Sequence, residues 1–324
     1  MNKFILRQSL LLFLTAVIWG VAFVAQSEGM EYVGPFTYNS VRCILGGLVL
    51  LPCILLYDAV PSEKSNREKR SLWTGGICCG IILFAASNFQ QFGIQYTSVG
   101  KAGFITAMYI VLVPLLGLFV HKKVGLKVWI GVGFAVCGLY LLCMNIDLHQ
   151  VMEDIVQYGT DYVLQRGAEY GLEFSRGDIL VLICAFIFAL HILVIDHFTT
   201  RADGVRMSCI QFWVCGILSL LCSLMFESPS LNNIWMARLQ ICYGGIMSCG
   251  VAYTLQIIGQ KDMNPTVASL ILSLESVVSV VAAFLILHQT MSRRELMGCC
   301  LMVVAIVLAQ LPNRSDKCMI NREK

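Results

Sequence analysis

Charge is scarce in this chain. Of its 324 residues, 13% are Asp, Glu, Lys or Arg, roughly half the quarter that a soluble domain carries. So few charges cannot clothe a water-soluble globule of this length. The net charge of +3 excludes a broad basic face, and with it nucleic acid as a partner. HExxH, GxSxG, Walker and GxGxxG patterns are all absent, so no zinc hydrolase, serine hydrolase or nucleotide-binding signature is present. No CxxC pair has a matching His or Cys cluster. Neither a metal nor another cofactor is implied, and there are no catalytic residues to name.

What is present is apolar sequence in long blocks. Hydrophobic residues make up 57% of the chain, and the mean hydropathy is +0.75. This combination reads as an all-α polytopic membrane protein, its main partner a lipid bilayer. The fifteen cysteines lie almost entirely within the apolar blocks, as at Cys78, Cys79, Cys299 and Cys300. They read as small buried side chains rather than as a disulfide framework.

A bilayer core needs about 20 apolar residues of helix. The blocks fall at 8–26, 36–57, 73–95, 102–120, 126–144, 178–197, 207–226, 238–259, 265–287 and 294–312. In lipid, backbone polar groups must be paired within the segment, so blocks of this length are helices. Ten spans put both termini on one side. With the N-terminus inside, sixteen Lys and Arg fall in inner segments and six in outer ones, with Arg42 left inside a span. The positive-inside rule therefore predicts cytoplasmic termini in a multi-pass protein of the cytoplasmic membrane. Residues 145–177 then form an outer loop. Leu148, Val151, Met152, Ile155 and Val156 recur there at helical spacing, which predicts a short amphipathic surface helix. The stretch 58–72 reads as a charged inner linker, and 313–324 as a polar cytoplasmic tail.

The second half repeats the first. "LLLFLTAVIWGVAFV" matches "DILVLICAFIFALHILV", with Trp19 over Phe188; the same register puts Arg42 over Gln211. "FGIQYTSVGKAGFITAMY" matches "IGQKDMNPTVASLILSLE", with Tyr109 over Glu275 and, upstream, Gln90 over Gln256. Each half holds five spans. Five is odd, so the halves enter the membrane in opposite senses, as the inverted repeats of secondary transporters do. The predicted organisation is a first repeat over 8–144, the loop over 145–177, and a second repeat over 178–312. The match of helix 1 to helix 6 also argues against reading Lys3, Arg7 and the first block as a cleaved signal peptide.

The strings "WGVAFVAQ", "GPFTYNSVR", "QQFGIQYTSVGKAGFITAMYIVLVPLLG", "GVAYTLQIIGQK" and "ASLILSLESV", in this order across both halves, resemble the EamA family of the drug/metabolite transporter superfamily. The resemblance covers about residues 9–312. It implies a ten-helix transporter of small organic metabolites, built as two inverted five-helix repeats. The chain departs from the family pattern twice. Ser276 stands where "SLEP" has proline, which predicts a straighter ninth span, and His288 and Gln289 replace a "GE" pair.

Ionisable residues inside spans are costly and tend to face the bundle interior. Glu275 lies near the middle of span 9, and its repeat mate is Tyr109. It can hold a substrate amine or carry a coupling proton, or it can be a neutral acid bonded to a neighbouring helix. His191, in span 6, can relay protons or simply bridge helices. Arg42 lies about 10 Å from the outer end of span 2 at 1.5 Å per residue. It can snorkel outward or pair with Glu28 or Glu31, or contact substrate. Asn88 and Gln91 in span 3 and Tyr253 and Gln256 in span 8 form polar stripes, read either as cavity lining or as interhelical glue. Trp19 can stack on a flat substrate or pack as a plain aromatic wall. The set favours a small zwitterion or amide-bearing metabolite. A membrane-embedded lipid enzyme would need catalytic groups clustered at one membrane face, whereas these polar residues spread over six helices. A sensor would need a soluble domain, and the longest loop is about 30 residues. The oligomeric state is left open by the sequence.

Overall fold

The computed structural model describes residues 3–57, 66–97, 99–119, 124–143, 148–165, 175–200, 202–286 and 293–310. His288, Gln289, most of the inner linker and the tail lie outside these. Every regular element among the described residues is helical.

The first repeat comprises α1 (Lys3–Gly29), α2 (Pro35–Tyr57), α3 (Asn66–Ile94), α4 (Val99–Ala107) with α5 (Tyr109–Phe119), and α6 (Leu126–Cys143). After α7 (Leu148–Tyr158) and α8 (Thr160–Gln165), the second repeat comprises α9 (Arg176–Thr199) and α10 (Gly204–Phe226). Next come α11 (Leu231–Met236), α12 (Arg238–Cys242), a π-helical segment (Tyr243–Tyr253) and α13 (Thr254–Gln260). The repeat closes with α14 (Pro265–Leu272), α15 (Leu274–Ile286) and α16 (Arg293–Gln310). Among the described residues, eight helical segments are long and apolar enough to cross a bilayer. Two shorter apolar helices, Leu126–Leu141 and Leu296–Leu308, occupy the fifth and tenth predicted positions.

The surface and the interior are inverted relative to a soluble protein. Leu10, Phe13, Leu48, Leu55, Ile81 and Leu224 are exposed around the bundle, whereas Asn39, Gln91, Gln211, Ser219 and Ser269 are wholly buried. With lipid outside, apolar residues are stable on the surface, and the interior mixes a buried apolar cluster, including Leu12, Leu83, Ile110, Phe212 and Leu270, with small and polar residues at helix contacts.

The packing obeys a two-fold rule. The first and second helices of one repeat take the places of the sixth and seventh, and so on. Thus α3 packs on α9 as the π-helical segment and α13 pack on α1, and α1 packs on α15 as α9 packs on α4 and α5. The pairs α2 with α10 and α6 with α16 map onto themselves and mark the pseudo-axis.

Three expectations are corrected. The inner linker ends earlier than predicted, because α3 already begins at Asn66. The ninth span is not straightened by Ser276; it is interrupted at Ser273, between α14 and α15. Serine hydroxyls produce the break that proline would have made. Ser269 and Ser273 donate to the carbonyls three residues back, Thr266 and Leu270, at 2.9 and 2.8 Å, which bends a helix. The Ser276 amide then donates to Ser273 O at 3.2 Å, a tightened i to i−3 bond, and its hydroxyl crosses to Gly103 O at 3.2 Å. The fourth span breaks within one residue of the corresponding place, at Met108. The third correction concerns Arg42 and is taken up with the site.

The helix predicted from the spacing over this loop forms as α7 (Leu148–Tyr158). Val151 and Ile155 pack with Tyr140 and Tyr162, while Met152 and Val156 stay exposed.

Candidate functional site

The breaks at Met108 and Ser273 deliver Tyr109 and Glu275 to a common point. Tyr109 opens α5 and Glu275 is the second residue of α15, and their side chains meet across the pseudo-axis. Tyr109 OH donates to Glu275 Oε1 at 3.0 Å, and both residues are buried. Close approach of α1 completes this wall. A Cβ on Gly20 would lie 2.7 Å from Glu275 O and 2.6 Å from Val278 Cβ, so only glycine lets Trp19 sit beside Glu275.

Fourteen residues line the cavity between the two repeats. In the sequence register given above, ten of them form five mated pairs: Trp19 with Phe188, Phe23 with Ile192, Gln90 with Gln256, Thr106 with Leu272, and Tyr109 with Glu275. The cavity therefore sits on the pseudo-axis. Gln26, Arg42, Ser248 and Tyr253 complete it without a mated partner. Its volume is about 40 Å³, room for a few waters, so the bundle is described in a contracted conformation.

Several lining groups lack partners. Trp19 Nε1, Gln26 Oε1 and Gln256 Oε1 are buried without a hydrogen bond among the described residues. Buried polar atoms are usually satisfied, so a donor and two acceptors on one cavity wall are available to something inside it. Gln90 is only partly occupied, donating to Thr106 Oγ1 at 3.4 Å. Trp19 and Tyr253 meet edge to face with centroids 4.6 Å apart.

Arg42 neither snorkels nor pairs with Glu28 or Glu31. It is 3% exposed and lines the cavity. Its Nε donates to Asn39 Oδ1 at 2.8 Å, and its guanidinium lies 5.5 Å from the Tyr38 ring centroid. No carboxylate reaches it among the described residues. Glu28 instead accepts from Gln240 at 3.2 Å. The reason is steric: Gly244, in the π-helical segment, lets α2 come close enough to turn Arg42 inward, and a Cβ there would lie 2.9 Å from Tyr38 OH and 3.4 Å from Arg42 Cδ. Two cavity-facing features of this segment carry no signal in the sequence, its wide turns and Ser248. Tyr253, read from the sequence as part of a polar stripe, faces the cavity. The wide turns are steadied from α1, where Thr15 Oγ1 donates to Ala252 O at 3.2 Å, and Tyr243 OH returns a bond to Ile18 O at 3.0 Å. Segments of this kind recur at functional sites.

The other sequence candidates fall elsewhere. Gln91 is fully buried but points to α1, donating to Gln26 O at 3.1 Å; Gln90 takes its place in the lining. Asn88 belongs to a polar chain between helices. It accepts from Asn39 at 2.9 Å and donates to Phe84 O and Ser219. His191 lies behind the wall, 3.2 Å from Gln211 Oε1 and edge-on to Phe188 and Tyr253. No cluster suited to a metal ion occurs among the described residues.

Residues 6–144 and 175–311 each match the EamA-like transporter family. The chain belongs to this family. Similar EamA transporters span nearly its whole length. An Archaeoglobus fulgidus protein described as an uncharacterized transporter is 27% identical over 299 residues, covering 92% of this chain and 84% of the relative. The uncharacterized inner membrane transporter YedA of Escherichia coli K12 is 22% identical over 309 residues, covering 93% and 89%. A crystal structure 18% identical in sequence superposes with a TM-score of 0.72 over 94% of this chain and 96% of the other, a likeness of fold. This EamA protein is thus a membrane transporter whose two family repeats meet around the cavity just described.

Proposed function

We propose that this EamA transporter moves a small organic metabolite across the cytoplasmic membrane by alternating access, with the central cavity as its substrate site. One observation carries the reading: ten of the fourteen lining residues are repeat-mated, so the cavity lies where rocking one repeat against the other exposes it to either side in turn. The interrupted fourth and ninth spans support it, since discontinuous helices let half-helices swing without unpairing a whole ladder. Trp19, Tyr109, Gln256 and Glu275 contact substrate in this reading. Asn88, Gln91 and His191 support the wall from behind. Both termini are cytoplasmic and α7 is outside, as the distribution of Lys and Arg favours.

The test is uptake. The purified full chain is screened against a metabolite library by thermal shift, and hits are assayed in proteoliposomes. Gln90→Ala and Gln256→Ala lower uptake about tenfold, each removing a group worth on the order of one charge-free or charge-assisted hydrogen bond, while the protein still elutes as a folded species. Normal uptake in both variants would overturn the assignment of the cavity.

A further inference from the structure

A larger cavity lies away from the repeat-mated site, at one end of the bundle. It holds about 480 Å³, within the range of ligand pockets, and both repeats contribute walls. Arg7 comes from α1, Ile54 from near the end of α2, Arg206 from the first turn of α10, and Lys261 from the residue that closes α13. Three cations thus share the lining with one acid, Asp203. That acid caps α10, its Oδ1 accepting from the Arg206 amide at 3.0 Å. Packing brings the cations together. Gln8 Nε2 donates to Ile258 O and to Lys261 O, both at 3.0 Å, which ties the start of α1, and Arg7 with it, to the end of α13. Gly204 lets α10 close on the same helix, since a Cβ there would lie 3.1 Å from Ile257 Cγ2. Like charges gathered at one place repel unless an anion joins them. The rim is apolar: Leu6 and Leu10, which flank Arg7 in sequence, and Leu51 and Leu55, which flank Ile54, are exposed.

We propose that this cavity holds the phosphate headgroup of an anionic phospholipid, whose acyl chains lie over the exposed leucines of α1 and α2. Arg and Lys bind phosphate oxygens through charge-assisted hydrogen bonds, and basic pockets between membrane helices take acidic lipid headgroups. A free phosphate would need only the cations. The apolar rim, and the wall that Ile54, Val205 and Ile257 give the cavity, commit the site to a lipid. This end of the bundle is the one that the Lys and Arg bias favours as cytoplasmic, where acidic lipids give the membrane surface its negative potential. Because α1 and α2 belong to one repeat and α10 and α13 to the other, the lipid bridges the two. Its binding is independent of what the central cavity carries.

The full chain in neutral detergent micelles is titrated with dioctanoyl phosphatidylglycerol, with the phosphatidylcholine of the same chains, and with inorganic phosphate. Bound lipid is counted by native mass spectrometry and read again as a rise in melting temperature, since a ligand of the folded state stabilises it by mass action. Phosphatidylglycerol binds about tenfold or more tighter than phosphatidylcholine, and inorganic phosphate at the same concentration leaves the melting temperature unchanged. Arg7→Gln combined with Lys261→Gln lowers the affinity for phosphatidylglycerol by about tenfold or more, the worth of two basic side chains at a membrane surface. Lys69→Gln combined with Arg70→Gln removes the same charge from α3, outside the cavity lining, and leaves the affinity within about twofold, because distant exposed charges are screened. Cys53→Trp fills part of the cavity without changing any charge and weakens phosphatidylglycerol binding too, so the result does not hang on one charge variant; the ligand-free melting temperature of each variant is recorded beside it. Equal binding of the two lipids, an equal loss in the α3 variant, or full binding in both cavity variants overturns the proposal. Inorganic phosphate that matches phosphatidylglycerol in the wild type and fails in the cavity variants overturns it as well, and makes the site one for a free anion.

Discussion

Tyr109 and Glu275 meet because a repeat mate is also a spatial mate when both positions lie close to the pseudo-axis. Glu275 is the sole acid in the cavity lining, and Tyr109 supplies its hydrogen bond. Tyr109→Phe leaves a buried oxygen without its donor, at about 1–3 kcal/mol, so the melting temperature falls and KM rises with the protein still folded. Glu275→Gln keeps the shape and a hydrogen-bonding partner but removes the titratable charge. The expected result in proteoliposomes is a KM at least about tenfold higher for amine-bearing substrates, with neutral ones little changed. Loss of pH-gradient-driven uptake alone, with exchange preserved, would instead assign the residue to proton coupling. Uptake by this variant identical to wild type from about pH 5 to about pH 8 would leave it a structural acid, since a working proton carrier would make uptake depend on pH.

Elements in this bundle are held by a buried apolar core and pinned by a few specific polar joints. The clearest is at the N-terminal end of α2. Glu227, just past α10, accepts from the Phe36 and Thr37 amides at 2.9 and 2.8 Å and from Thr37 Oγ1 at 2.6 Å. A carboxylate at a helix start satisfies orphan amides and opposes the positive end of the helix dipole. Glu227→Ala therefore costs about 1 kcal/mol, the usual loss of a cap, seen as a lower melting temperature with KM unchanged. Unaltered stability would show the joint to be dispensable. Gly20 is the second joint. Gly20→Val forces α1 off α15 by filling space held by Glu275 O and Val278. Uptake should fall by at least about tenfold, the scale expected when a positioned group shifts by an ångström, whereas Gly133→Ala, where a Cβ meets nothing within 4 Å, leaves uptake intact.

For the whole molecule, the inverted repeat makes orientation a separate question from fold, since the backbone looks alike from either side. The Lys and Arg bias favours cytoplasmic termini. In a cysteine-depleted background, a cysteine at Gln157 in α7 should react with an impermeant thiol reagent on intact cells, and one at Lys261 only after permeabilisation. The opposite pattern would invert the assignment.

Helix number, repeat register and the Tyr109–Glu275 pair were legible in the sequence, because they depend on apolar length, on parity and on self-similarity. The side that each helix turns inward was not. In a lipid-embedded helix both faces are apolar, so periodicity carries little direction, and one residue of error is a rotation of about 100°. That is the difference between Gln91, which braces α1, and Gln90, which lines the cavity. It also separates an outward Arg42 from the inward one observed. The break at Ser273 was hidden for another reason: serine hydroxyls bend a helix only where their geometry lets them reach the carbonyl behind. Sequence by itself determined a polytopic EamA bundle of two opposed halves. Only the tertiary structure decided which polar residues share a cavity, because that choice is made by close approaches at Gly20 and Gly244 between segments more than two hundred residues apart.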